Sequence, residues 1–283
     1  MGFTVKWSDY VLDLDERTHV MGILNVTADS FSDGGRFYEA NEAIEHGLQM
    51  ARDGADIIDV GGESTRPFAQ RLSVSEEIDR VIPVIGALRD LLSIPISIDT
   101  YKSEVAREAL KAGASIINDI SALRFDPQMA SVAAQGDGLL ILMHMKGTPE
   151  NMQVNPSYDD LISEISRFLK DAIERSVAAG VREELILVDP GIGFGKTFEH
   201  NLRIIRELSR FRSLGRPVLL GTSNKAFIGH ILKKGVNERE TGTMATVAAG
   251  VMNGAQVVRV HNVKKAVETV RIIDAIMRVG ASE

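Results

Sequence analysis

The chain has 283 residues, of which 44% are hydrophobic and 25% are charged, as is ordinary for a globular protein with a sizeable core. It contains no cysteine, which excludes disulfides, thiolate metal sites and a cysteine nucleophile. Its formal net charge of −7 argues against a nucleic-acid partner or an anionic membrane surface. Because its amino terminus is charged and its apolar runs are short, we expect a soluble, cytoplasmic protein without a signal peptide or a membrane span.

Short apolar runs alternate with longer amphipathic stretches along the chain. Two strand-like segments at residues 4–7 and 10–14 come first, and we expect them to form a hairpin. The runs that follow are rich in Val, Ile and Leu and are largely unalternating, which is typical of strands covered on both faces. They cover residues 19–24, 56–60, 94–98, 115–117, 139–143, 185–188, 217–220 and 256–260.

Helical patterns fill the intervals between these runs. The clearest covers residues 159–179, and an additional helix is expected over residues 242–253. Glycines stand where helices should end before the next strand, at positions 54, 113, 180 and 254. Eight strand–helix repeats predict an α/β fold, a parallel (β/α)8 TIM barrel with the short amino-terminal hairpin closing its floor. Because no linker or composition break interrupts the pattern, we predict one domain over residues 1–283.

Polar residues follow every one of the predicted barrel strands. One Asp or Asn there is unremarkable, since both favour turns, but charges at so many buried ends are costly unless they are paired. In a barrel this edge carries the active site. The residues, in chain order, are Asn25, Asp59, Glu63, Thr65, Arg66, Asp99, Asn118, Asp119, His144, Asp189, Ser223, Asn224, Lys225, Arg259 and His261. We interpret Glu63 and Asp119 as members of a structural network.

The side chains at these ends suit two kinds of chemical group. Carboxylates beside an amide can accept the donor-rich edge of a flat heterocycle, such as the amino-pyrimidinone of a pterin or a purine. The basic residues near strands seven and eight suit an anion, and barrels commonly hold phosphate there. The glycine-rich segment 189–196 (DPGIGFGK) lacks the spacing of a P-loop, so we interpret it as an ordinary strand–helix loop. Segment 29–35 (DSFSDGG) is compatible with a lid or with an ordinary surface loop.

Several long motifs together resemble those of dihydropteroate synthases. They occur in the family's order and at its spacing: MGILNVTADSFSDGG, DVGGESTRP, SIDT, INDIS, MHMKGTPENMQ, DPGIGFGK, GTSNKAFIG and VRVH. The resemblance implies a transferase of folate biosynthesis that joins 6-hydroxymethyl-7,8-dihydropterin diphosphate to p-aminobenzoate and releases pyrophosphate. It also implies a homodimer and a sulfonamide target.

The resemblance further implies a role for individual residues. The pterin pocket would consist of Asp99, Asn118, Asp189 and Lys225. The diphosphate would be held by Mg²⁺ on Asn25 and by Arg66, Arg259 and His261. The acceptor side would include Phe31, Thr65 and Pro67. The catalytic residues would be Asp99, Lys225 and Arg259, which stabilise the developing cationic pterin methylene and the charged leaving group.

The chain departs from the family's pattern mainly on the acceptor side. The substituted positions are Ala28 for Pro, Phe68 for Gly, Asn224 and Ala226 for the Arg and Ser of SRKS, and Asn262 for Asp. The family's Ser binds the aminobenzoate carboxylate, so its loss predicts roughly ten- to hundredfold weaker binding, which N–H groups at the start of the next helix would partly offset. One alternative is therefore a pterin-binding homologue with altered or lost acceptor use. A folate-dependent methyltransferase is the other, although it would need neither the DSFSDGG loop nor Arg259 and His261.

Overall fold

The computed structural model describes residues 3–26, 35–63 and 71–279, and for residues 35–39 the backbone alone. Its first two strands pair with each other, and the others form the barrel. The strands are β1 (Thr4–Trp7), β2 (Tyr10–Asp13), β3 (His19–Asn25), β4 (Ile57–Gly61), β5 (Ile96–Asp99), β6 (Ile116–Asp119), β7 (Leu139–Met143), β8 (Ile186–Asp189), β9 (Leu219–Leu220) and β10 (Val257–Val260).

Helices follow the barrel strands and cover the outside of the sheet. They are α1 (Gly35–Arg52), α2 (Val74–Leu91), α3 (Ser103–Ala112), α4 (Met129–Gly136), α5 (Leu161–Ala178), α6 (Phe198–Arg206), α7 (Ala226–Leu232), α8 (Glu240–Met252) and α9 (Val263–Arg278). Capping side chains set several starts. Ser73 accepts from the backbone N–H of Glu76 at α2, and Thr197 accepts from that of His200 at α6.

The eight parallel strands form one sheet in the order β8-β7-β6-β5-β4-β3-β10-β9. The two edges meet through a bridge between Val188 and Val218, and the Val188 N–H donates to the carbonyl of Pro217 at 3.0 Å. The predicted TIM barrel is therefore confirmed. Strand β9 is shorter than the predicted 217–220, because Pro217 has no N–H for the strand ladder and the Val218 N–H donates to the Gln256 side chain at 2.7 Å.

The amino-terminal hairpin closes the barrel floor, as predicted. Its buried side chains, among them Val5, Trp7 and Leu12, pack in one cluster with the lower inward-facing residues of the barrel, such as Met21 and Ile57. A second and larger cluster fills the space between the sheet and the helices. Because the floor is plugged by apolar side chains, the opposite end of the barrel is where polar groups can meet a ligand.

Helix ends also agree with the sequence-based predictions. The glycines at positions 54, 113, 180 and 254 all have positive φ, between +97° and +119°, a conformation that disfavours other residues. The additional helix before the last strand is α8. In the part of the chain that the structure describes, no helix combines the length and the apolar character that crossing a membrane requires.

Candidate active site

Several of the polar residues predicted to follow the strands are in fact the last residues of those strands, namely Asn25, Asp99, Asp119 and Asp189. Asn25 is in register with Gly61, Gly61 with Asp99, and Asp99 with Asn118, so these four positions form one row across β3 to β6. On the other side of the barrel, Asp189 is in register with Met143. The ladder continues into the polar residues because their backbone groups still find partners on at least one neighbouring strand, and this brings the side chains to one level.

A buried ion cluster joins this row to Asp59, two residues earlier on β4, and to Arg259 on β10. The Arg259 Nε donates to Asp59 Oδ2 at 2.5 Å, and its Nη2 donates to Asp99 Oδ2 at 2.6 Å. The amide of Asn118 donates to the same Asp59 oxygen at 3.1 Å. The other oxygens, Oδ1 of Asp59 and Oδ1 of Asp99, are buried and have no hydrogen-bond partner among the described residues. Unpartnered buried carboxylate oxygens are costly, and a ligand that brings N–H donors would remove that cost.

Burial controls the ionisation of this cluster. It raises the pKa of Asp99 to about 7, since the attraction of Arg259 only partly offsets desolvation and the nearby charge of Asp59 adds to it. Burial also acts to lower the pKa of Arg259, but the two carboxylates outweigh it and hold that pKa above its ordinary value. The cluster therefore carries one cation against two carboxyl groups, one of which titrates near neutral pH.

Asp189 and Lys225 form the other side of the pocket. Burial raises the pKa of Asp189, whose Oδ1 accepts the N–H of Gly191 at 2.7 Å. Burial lowers the pKa of Lys225 to about 8, with Asp189 opposing that shift and Arg259 adding to it. The Lys225 Nζ lies 4.2 Å from the centre of the Phe194 ring, and a Cβ on Gly193 would lie 3.2 Å from that nitrogen. Gly193, whose φ is +85°, thus leaves room for the lysine to lie close against this loop.

His261 and Ser223 are hydrogen-bonded to each other at the ends of β10 and β9. The Ser223 Oγ lies 2.8 Å from His261 Nδ1 and also accepts the His261 backbone N–H at 3.2 Å. Directly after His261, the Asn262 side chain caps α9 by accepting the N–H of Lys265 at 3.1 Å. A basic ring held at the positive end of a helix suits an anion.

Glu63 and Asp119 hold loops, as predicted. Glu63 accepts from the Lys102 Nζ and the Tyr101 hydroxyl, both at 2.6 Å, and from the N–H of Leu72 at 3.0 Å. It therefore joins the two ends of the loop after β4. Asp119 is fully buried and accepts two backbone N–H groups of the next loop at 2.7 Å.

His144, one of the polar residues that follow the barrel strands, is hydrogen-bonded to a neighbouring loop. It is buried, and its Nδ1 lies 2.9 Å from the Nζ of Lys196, a buried lysine that also donates to the carbonyl of Phe194 at 2.9 Å. Sequence reasoning missed Lys196, although it closes the DPGIGFGK motif. Gly191 permits this fold of the loop, because a Cβ there would lie 1.9 Å from the His144 carbonyl oxygen. His144 and Lys196 thus join the loops after β7 and β8.

Other predicted residues are exposed or lie outside the described part of the chain. Asn25 is exposed. A Cβ on Gly61 would lie 3.9 Å from Asn25 Oδ1 and 3.7 Å from Asp99 Oδ2. Within residues 3–26, 40–63 and 71–279, no group of three or more acidic, histidine or cysteine side chains could hold a metal ion. The predicted residues outside the described segments are Phe31, Thr65, Arg66 and Pro67.

Comparison with known proteins gives one consistent result. The family described as pterin binding enzyme matches residues 21–261 of the chain. A dihydropteroate synthase of Bacillus subtilis is 49% identical over 269 residues, which are 95% of this chain and 92% of that protein.

Solved structures agree with the sequence comparison. A Yersinia pestis dihydropteroate synthase in complex with a sulfonamide drug superposes with a TM-score of 0.92 at 44% identity, covering 97% of this chain and 99% of that one. A Xanthomonas albilineans dihydropteroate synthase with 4-aminobenzoic acid gives a TM-score of 0.91 at 41% identity, over 98% and 99% of the two chains.

Proposed function

Since the chain belongs to the family of pterin binding enzymes, we infer that it works as a dihydropteroate synthase. It is a transferase of folate biosynthesis that joins 6-hydroxymethyl-7,8-dihydropterin diphosphate to p-aminobenzoate and releases pyrophosphate. The observation that carries this function is the pair of unpartnered carboxylate oxygens on Asp59 and Asp99 at the open end of the barrel. They supply acceptors where a pterin supplies N–H donors.

The pterin binds to the acidic and amide side chains of the strand ends. When Asp99 is ionised, its carboxylate can accept both an exocyclic amine and an adjacent ring N–H of the pterin. Asp189 offers further acceptor capacity across the pocket, and Asn118 can donate to a ring oxygen. Lys225, whose ammonium lies against the Phe194 ring and is attracted by Asp189, can donate to a ring nitrogen or oxygen.

The diphosphate binds beside the pterin, where basic groups are concentrated. Arg259 can exchange its contact with Asp99 for a phosphate oxygen while Asp59 retains its Nε. His261 supplies a second donor, held by Ser223. The exposed amide oxygen of Asn25 fits Mg²⁺, which takes oxygen ligands and is commonly shared between one or two protein groups and substrate phosphates. When bound, this ion would neutralise charge on the leaving diphosphate.

The reaction needs stabilisation of charge more than a strong base. The bond between the pterin methylene carbon and the diphosphate oxygen breaks, the nitrogen of p-aminobenzoate bonds to that carbon, and its proton leaves to water. Asp99 favours the positive charge that develops on the pterin, while Arg259 and His261 favour the negative charge on the leaving oxygens. The aniline is a weak base, so its positioning matters more than its deprotonation.

Turnover of the two substrates tests this function directly. Purified protein with Mg²⁺ should convert the pterin diphosphate and p-aminobenzoate into equal amounts of dihydropteroate and pyrophosphate, measured by chromatography and by a coupled phosphate assay. Folded protein that forms neither product would contradict the assignment. Calorimetric binding of the pterin diphosphate without turnover would instead support the homologue with lost acceptor use. Binding of methyltetrahydrofolate but not of the pterin diphosphate would support a methyltransferase.

Ala226 provides a test of the acceptor side. Replacing it with Ser restores the hydroxyl that the family uses on the aminobenzoate carboxylate, and a hydrogen bond to a charged group contributes about 1.5–3 kcal/mol. We expect Ala226→Ser to lower the KM for p-aminobenzoate roughly tenfold and to leave the KM for the pterin diphosphate unchanged. Ala178→Ser, on an exposed position of α5, is the matched control. An unchanged KM for p-aminobenzoate would show that this chain holds the carboxylate by other groups.

We also propose that the protein is a homodimer and is cytoplasmic, and exposed apolar side chains support the dimer. Phe198 and Leu202 on α6 and Ile231 on α7 are 39%, 44% and 53% exposed on two neighbouring helices. Buried between two copies, such side chains would leave water. Light scattering should give twice the 30.9 kDa of one chain, and Leu202→Glu should reduce it to the monomer mass. Val177→Glu, equally exposed on α5, should not.

A further inference from the structure

A short turn between β9 and α7 supplies one of the proposed binding groups, Lys225, and the residue that holds another, Ser223. This turn, residues 222–225, places Ser223 against His261 and Lys225 against the loop after β8. Asn224 lies between them with a φ of +57°, in the left-handed region that Asn adopts more readily than most other non-glycine residues. The directions in which Ser223 and Lys225 face therefore depend on this turn keeping its conformation, and the groups that bind the Asn224 backbone help to hold it.

That support comes from the additional helix, α8, and from the residue before it. Arg239 Nη1 donates to the carbonyl of Asn224 at 2.9 Å, and the N–H of Asn224 donates to Thr243 Oγ1 at 3.1 Å. The Thr246 hydroxyl donates to Thr222 Oγ1 at 2.9 Å. Both backbone polar groups of Asn224 are thus bound by one neighbouring element.

Arg239 is built into this position rather than lying loosely on the surface. Its guanidinium crosses α7 at Gly229, where a Cβ would lie 2.3 Å from Arg239 Nε and 2.6 Å from Cζ. Gly229 is buried, and any larger residue would displace the arginine. Because Gly229 has no side chain, Arg239 can cross α7 and reach the carbonyl of Asn224.

We propose that Arg239 is a positioning residue of the active site, which holds Lys225 against the pterin and Ser223 against His261 through the carbonyl of Asn224. Arg239 itself contacts neither proposed substrate group. The assignment of pterin and diphosphate to these side chains rests on the proposed function. The contacts of Arg239 and Thr243 with the backbone of Asn224, which we call the clamp, are independent of that assignment. Thr243 is the second member of the clamp, because it binds the other backbone group of Asn224.

The pKa of Lys225 can be used to follow the clamp, because it depends on how deeply the ammonium is buried and on which charges surround it. Burial lowers its pKa to about 8, while Asp189 on β8 and Asp99 on β5 raise it and Arg259 on β10 lowers it. If the turn relaxes, water reaches the ammonium and the pKa rises towards the ordinary value for lysine. A general loss of stability elsewhere in the fold would not change this titration.

The test compares Arg239→Met with Arg239→Lys, which retains one donor, and with Arg271→Met at an exposed position of α9. We expect Arg239→Met to raise the KM for the pterin diphosphate about tenfold. The alkaline limb of its kcat/KM profile, which follows Lys225, should move to higher pH. Arg239→Lys should lie between it and the wild type, and Arg271→Met should match the wild type.

A second readout does not depend on activity. Protein labelled with ¹³C at lysine Cε can be titrated by NMR, with Lys225→Arg to assign the resonance. Lys225 should titrate at about pH 8 in the wild type and higher in Arg239→Met. If Arg239→Met does not fold, Thr243→Val, which is nearly isosteric, should show the same shift to a smaller extent.

The outcomes separate this proposal from the proposed function. A raised pKa of Lys225 in a protein that forms no dihydropteroate would uphold the clamp and reject the assigned activity. Folded variants in which Lys225 titrates as in the wild type would overturn the clamp, whether or not the KM for the pterin diphosphate changes.

Discussion

Asp99→Asn is expected to lower kcat/KM at least about a hundredfold and, at pH 8, to make the protein more stable. The amide is almost isosteric with the carboxylate, but it has one acceptor in place of two and carries no charge. Two hydrogen bonds to an ionised group contribute about 1.5–3 kcal/mol each, so kcat/KM should fall roughly a hundred- to ten-thousandfold. The gain in stability follows from removing a buried charge that the single cation Arg259 does not fully compensate.

The pH dependence of this gain has a defined sign. The folded-state pKa of Asp99 is raised to about 7 from 3.8, so the native state binds the proton more tightly than the unfolded chain does. Its favourable contribution is complete below about pH 4 and is lost as the pH rises through 7. The stability difference between Asp99→Asn and the wild type should therefore be small at pH 4, grow up to pH 7 and level off above it. A shift of this size corresponds to on the order of 4 kcal/mol.

Denaturant unfolding between pH 4 and pH 8.5 measures this difference. Asp171→Asn, at an exposed position of α5, is the matched control and should follow the wild type at every pH. If the Asp99→Asn protein is less stable than the wild type at pH 8, the prediction is wrong. The ion pair with Arg259 would then stabilise the fold by more than the buried charge of Asp99 destabilises it.

The barrel was predictable from the sequence because each strand had to be buried on both faces. Uninterrupted apolar runs, amphipathic stretches and terminal glycines then define the repeat without any knowledge of contacts. The polar strand ends were predictable for the same reason, since a polar residue after such a run stands out. Some of these strands were predicted to end before their polar residue, whereas the strand ladder continues through Asp99, Asn118 and Asp189.

The pairing of Arg259 was beyond sequence reasoning. Its partners Asp59 and Asp99 lie 200 and 160 residues away along the chain. An inward-facing residue on a barrel strand can meet any of several opposite side chains, and only packing decides among them. The resemblance to the family assigned Arg259 to the diphosphate, and the structure brings it between the carboxylates of Asp59 and Asp99. Asp59, a strand-end residue to which the resemblance assigned no role, joins Arg259 to Asn118.

Lys196 and Arg239 were missed for another reason. Each lies in a segment whose composition has an ordinary explanation: a glycine-rich loop for Lys196 and the charged stretch VNERETG for Arg239. The position of each depends on a glycine at another point of the chain: Gly191 for Lys196 and Gly229 for Arg239. A missing side chain that opens a passage for a distant residue leaves no local pattern.

Arg259→Met should have the largest structural effect of any single change in the site. It leaves Asp59 and Asp99 side by side in a buried space without a cation, and breaking a buried pair by removing one partner costs about 3–5 kcal/mol. Because both carboxylates would then resist ionisation, the loss should be greatest at alkaline pH and partly relieved near pH 4. Turnover should be lost as well. Arg182→Met, which breaks an exposed ion pair with Asp137, is the control and should cost at most about 1 kcal/mol.

The double variant Arg259→Met with Asp59→Asn separates the two roles of the arginine. Removing one of the two orphaned charges should restore a few kcal/mol of the lost stability, so that the two changes together cost less than their sum. It should not restore affinity for pyrophosphate measured by calorimetry, because no guanidinium is present to bind the anion. If stability and pyrophosphate binding returned together, the proposed contact of Arg259 with the diphosphate would be wrong, and its function would be to neutralise Asp59 and Asp99 alone.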